Sequence, residues 1–70
     1  MKTQEVKEMI KNNSFLSFDQ DVEAITIKAG QLKKVIALPH NMMSKEDAAK
    51  MLNREIKYMS GVTGINIPLI

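Results

Sequence analysis

His40 is the only histidine in this 70-residue chain, and the chain has no cysteine. It follows Pro39 at the end of an apolar run, a position from which a side chain can take part in chemistry at a sheet margin. Nucleophilic catalysis needs a nucleophile, a base and an orienting group within hydrogen-bond reach. No such set can be assembled around His40, so it is expected to be an exposed loop residue, and enzymatic activity is not expected. A lone histidine also falls short of the ligand count of a structural zinc site. Without cysteine, disulfides are excluded as well. No metal and no cofactor is expected.

Two other stretches imitate functional motifs and fail on spacing. Asp19-Gln20-Asp21-Val22-Glu23 begins like a calcium loop, but that loop needs Gly at its sixth position and Glu at its twelfth. Ala24 and Gly30 stand there, so the run is read as a turn. Gly61-Val62-Thr63-Gly64 carries two glycines beside a helical pattern. Phosphate cradles put their glycines before a helix, where the amides at its start face the anion; these follow one.

Residue types suited to binding are better placed. Met51 and Tyr58 are seven positions apart, with Arg54 between them, so on a helix they form one strip outside the core-facing arc. Met, Tyr and Arg are enriched at protein interfaces, and Tyr and Arg are frequent hot spots. Ile67 and Leu69, in the apolar run Ile65 to Ile70, add a second candidate surface if that run is an edge strand. Lys28, Lys33 and Lys34 gather around a predicted hairpin turn. Lys50 and Lys57, with Arg54, line a helix flank. These basic groups are the candidates for nucleic-acid contact, since a ribbon or a helix can enter the major groove.

Five elements are predicted to carry these residues. Thr3 is expected to cap a helix over Gln4 to Asn12, with Val6, Met9 and Ile10 on its apolar face. Val22 to Ala29 and Leu32 to Leu38 read as strands joined through Gly30-Gln31. The second is apolar on both faces from Val35 onward, which predicts cover on both sides, and Pro39 ends it. Ser44 then caps the main helix, with Asp47 completing a capping-box pattern. Ala48, Ala49, Leu52, Ile56 and Met59 form its core stripe, Asn53 falls on its far side, and Gly61 is expected to terminate it. Ile65 to Ile70 is the predicted last strand, on an edge because of Pro68. The predicted architecture is a small α+β domain over residues 1–70 in the order α-β-β-α-β. A right-handed β-α-β crossover makes its three-stranded sheet mixed, with the main helix packed on one face.

Two stretches resemble parts of DNA-binding folds. Lys33 to Pro39 ahead of a helix is similar to the start of a ribbon-helix-helix repressor, which needs a second helix where a strand is predicted here. Asp47 to Leu52 is similar to the first helix of a helix-turn-helix, but Asn53-Arg54-Glu55-Ile56 continues the same helical period. No family is assigned on either.

Composition bounds the rest. The chain is 44% hydrophobic and 26% charged, with ten basic and eight acidic residues giving a net charge of +2. That balance alone does not imply nucleic acid, because phosphate affinity follows clustered Lys/Arg contacts. No apolar run approaches the ~20 residues that cross a bilayer, and no secretory signal is visible behind Lys2, so a cytoplasmic location is expected. A chain this short buries only about 60% of its unfolded surface. Lacking staples, it is expected to rely on tight packing or on forming a homo-oligomer. The expected role is a protein-binding module, a regulator, adaptor or inhibitor, working through the main helix and the C-terminal edge strand. The alternative is a small nucleic-acid-binding regulator.

Overall fold

The computed structural model describes residues 1–70. The chain forms helix α1 (Thr3–Ile10), strands β1 (Leu16–Asp19), β2 (Ala24–Ala29) and β3 (Leu32–Ala37), a 3-10 turn at His40–Met42, and helix α2 (Lys45–Thr63). The three strands form one antiparallel sheet in the order β1-β2-β3.

The sheet therefore differs from the expected mixed one. Leu16–Asp19, outside the five predicted elements, forms β1, and its alternation of Leu16 and Phe18 with Ser17 and Asp19 is a half-buried strand pattern. The expected last strand does not form: Ile65 to Ile70 pairs with no strand, so there is no β-α-β crossover. β2, which covers most of the first predicted strand, lies in the middle of the sheet, flanked by both of its sequence neighbours.

Local chemistry accounts for the turns. Asp19 accepts from the Asp21 amide through its side chain at 3.0 Å, and Glu23 takes a left-handed φ of 49°, so the acidic run is the β1–β2 loop. Gly30 has φ of 61° at the first central position of the β2–β3 turn, the place where a type II′ hairpin demands glycine. A Cβ there would also lie 3.3 Å from Ile65 Cδ1.

Lys2, not Thr3, is the N-cap of α1, and its amide donates to Glu5 Oε1 at 3.0 Å. Ser44 caps α2 as expected, its Oγ accepting from the Asp47 amide at 3.1 Å. The helix runs through Gly61 and ends at Gly64, which takes the left-handed φ of 72°. Thr63 donates its hydroxyl to the Met59 carbonyl and accepts from the Ile65 amide, which ties off that last turn.

One face of the sheet carries Leu16, Phe18, Ile25, Ile27, Ala29, Leu32, Lys34 and Ile36, as the cross-strand register requires. Leu16, Ile25, Ile27 and Ala29 of this inner face share a buried cluster with Val6 and Ile10 of α1, with Ala48, Leu52, Ile56 and Met59 of α2, and with Leu38 and Ile67. The outer face carries Ser17, Asp19, Ala24, Thr26, Lys28, Lys33, Val35 and Ala37 and is open apart from buried Ala24 and half-buried Thr26. The expected cover on both sides of β3 is absent: Val35 is 60% exposed.

Residues 65–70 lie back along α2, held by side chains. Ser60 Oγ accepts from the Ile67 amide at 3.2 Å, and Asn13 Nδ2 donates to the Pro68 carbonyl at 2.7 Å. Asn53 grips Ile70 at both its amide (2.8 Å) and its carbonyl (2.9 Å). Asn53 is thus the clamp of the tail and not a far-side surface residue. Asn53→Ala is expected to cost about 1–2 kcal/mol. Hydrogen exchange should show protection lost at Ile67 and Ile70 while β2 amides stay protected; equal loss in both would argue against a separate clamp.

Candidate functional site

His40 does not form a surface site. It is 2% exposed, in contrast to the expected loop position. Its Nε2 pairs with Thr3 Oγ1 at 3.0 Å, and its ring meets Phe18 edge-on at 5.3 Å between centroids. Nδ1 has no hydrogen-bond partner, with Glu23 Oε1 at 3.9 Å. Together with the terminal amine of Met1 on the Met43 carbonyl, these contacts fasten the start of α1 to the 3-10 turn.

The free edge of the sheet is β3. Hydrogen bonds continuing the ladders fix which peptide groups face outward. The Leu38 amide donates to the Glu23 carbonyl at 2.7 Å, and on the other side of β2 the Lys28 amide donates to the Phe15 carbonyl at 2.9 Å. Antiparallel ladders alternate, so Leu32, Lys34 and Ile36 bond to β2. Lys33, Val35 and Ala37 direct their amides and carbonyls away from the sheet, where no strand meets them.

One flank of α2 stands beside this edge. Lys34 of β3 pairs with Glu55, and its ammonium lies 4.7 Å from the centroid of the Tyr58 ring. Tyr58 is 59% exposed, and Val62, one turn further along the same flank, is 52% exposed. Arg54 is exposed on the outer side of Tyr58, whereas Met51 is half-buried against the core. The predicted strip of Met51, Arg54 and Tyr58 is therefore a single flank, with Met51 as its buried root. Leu32, two residues from Lys34 on the same face, is 47% exposed. The off-core position of Tyr58 and Arg54 on the helix accounts for their exposure. Leu32, Val35 and Val62 had no comparable signal, because their exposure depends on which strand ends the sheet.

The remaining predicted site residues are not gathered here. Ile67 is 3% exposed and belongs to the core. Leu69 lines a cavity of about 310 Å³ with Met9, Asn12, Asn13, Pro68 and Ile70, away from the β3 edge. The five basic residues do not make one surface either. Lys28 and Lys33 stand on the outer sheet face, Lys34 on the inner face against α2, and Lys50 and Lys57 on exposed turns of α2. On α1, the Lys11 ammonium, 3.0 Å from Glu8, holds that carboxyl below its ordinary range; this is a pair on the helix surface. No helix is long and apolar enough to cross a membrane. Comparison of the chain with protein families, curated proteins and solved structures gave no match in any of the three.

Proposed function

We propose that this chain is a protein-binding module that takes up an extended segment of a partner as a fourth strand on β3. The observation that carries the reading is the run of outward peptide groups at Lys33, Val35 and Ala37, which no strand meets. Strand addition draws its affinity from such main-chain groups and its selectivity from alternate side chains. On the inner side of a fourth strand, side chains would meet Leu32, the Lys34 stem, Tyr58 and Val62; on the outer side they would continue the row of Val35. A fourth strand would sit about 4.8 Å from β3, beneath the flank of α2. The edge in use is thus β3 in place of Ile65 to Ile70, and the helix contributes through Tyr58 and Arg54. A module of this size that occupies a partner's extended segment acts as an adaptor or an inhibitor.

Val35→Pro tests the reading cleanly. The Val35 amide faces outward, so its removal leaves the β2–β3 ladder whole. Peptides selected for binding from a displayed library are expected to protect the Lys33, Val35 and Ala37 amides from hydrogen exchange. They should bind Val35→Pro at least about tenfold more weakly, about 1.4 kcal/mol. Tyr58→Ala should also weaken binding. Selected peptides that perturb only the 65–70 segment, and that bind Val35→Pro unchanged, would refute strand addition.

A further inference from the structure

The charges at the edge specify the partner further, given that β3 is the docking strand. Lys28 and Lys33 are directly opposed in the β2–β3 register, on the outer face. Theirs is a non-hydrogen-bonded pair, the kind in which Cα atoms approach to about 4.5 Å, and like charges so placed destabilise a ladder. Nothing compensates them. The ion pairs of the chain are Lys11 with Glu8 and Lys34 with Glu55, and neither involves Lys28 or Lys33. Asp19 is the one acid on the outer face, and it sits in the row of Ala24 and Ala37, at the opposite end of the sheet. Arg54, exposed and in no ion pair, lies one helical turn before Tyr58 on α2. A second copy is a poor occupant: strands paired about Val35 would set Lys33 against Ala37 and leave the ammonium groups unanswered. Lysines on an edge are a common device against self-pairing.

We infer that the segment taken up by β3 is acidic, with a carboxylate opposite Lys33 on the outer face and apolar side chains turned toward Tyr58 and Val62. A carboxylate opposite Lys33 would lie in the same cross-strand row as Lys28 and answer both ammonium groups. Phosphates carry charge too, but a nucleic-acid backbone supplies no strand partner for the outward peptide groups.

The test uses three short extended peptides with the same apolar inner face and with Glu, Thr or Lys at the outer positions. Their affinities are read by fluorescence anisotropy at about 20 and about 200 mM salt, a range over which screening tightens markedly. The Glu peptide is expected to bind about tenfold or more tighter than the Thr peptide at low salt, and the Lys peptide weakest. The gap should narrow at high salt. Lys33→Thr should remove the preference and keep the affinity for the Thr peptide. Equal affinity of Glu and Thr peptides would overturn the acidic assignment while leaving strand addition in place. Failure of all three would overturn both. Tighter binding of a labelled oligonucleotide with a steep salt dependence would reassign the lysines to phosphate. A concentration-dependent dimer abolished by Val35→Pro would give the edge to a second copy, which also overturns the inference.

Discussion

Leu52→Ala is expected to remove about half of the stability of the chain. Leu52 is wholly buried and stands in the middle of the α2 stripe between Ala48 and Ile56. Its cluster joins α1, the inner sheet face, α2 and the tail residue Ile67, so a void there opens inside the core that these elements share. Truncations of this kind cost about 2–5 kcal/mol. At about 0.05–0.15 kcal/mol per residue, a chain of 70 residues has only ~3.5–10 kcal/mol to lose, and no disulfide limits its unfolded state. Urea denaturation followed by circular dichroism measures this. A melting shift below about 4 °C, the smallest effect of a 1 kcal/mol loss at this size, would show that α2 is not a core element.

His40→Ala should have the second largest effect, about 2–4 kcal/mol by the same truncation argument. The ring fills the space between Phe18 and Thr3, and an edge-on aromatic contact adds about 0.5–1.5 kcal/mol beyond burial. Two kinds of contribution can be separated. Nδ1 is buried without a partner, so the polar character of the ring is only half used. Replacing both members of a buried polar pair by apolar groups is nearly neutral, whereas removing one is not. His40→Phe with Thr3→Val is therefore expected to retain most of the stability that His40→Ala loses. If the double variant is as unstable as His40→Ala, the hydrogen bond to Thr3 carries the effect. In either case α1 amides should lose hydrogen-exchange protection before those of β2.

The features legible in the sequence are those set by neighbours in the chain. Ser44 with Asp47, the stripe from Ala48 to Met59, the Gly30 turn, and Ile25 with Ile27 on one face are local chemistry. The errors lie where tertiary context decides. Two glycines compete to end α2, and Gly64 prevails because the chain must reverse there to bring Ile67 into the core. Residues 65–70 carry a strand's apolar pattern, yet Asn13, Asn53 and Ser60 hold the backbone of Ile67, Pro68 and Ile70, a solution with no periodic signature. Val35 to Leu38 looks doubly covered, yet only the inner face has a layer against it. The site follows the same division. Tyr58 and Arg54 were visible as off-core helix positions, but the identity of the free edge depends on which strand has no neighbour.

The meander of the sheet has a kinetic consequence. Each strand meets the one next to it in sequence, through loops short enough for hairpins to close in about 1–10 μs. The hydrogen bonds that span most of the chain are Thr3 to His40, Met1 to Met43 and Asn13 to Pro68. Strand pairing between sequence neighbours favours fast refolding, so the hairpins and α2 are expected to form first and the two ends of the polypeptide to dock last, an order that pulsed hydrogen exchange would read.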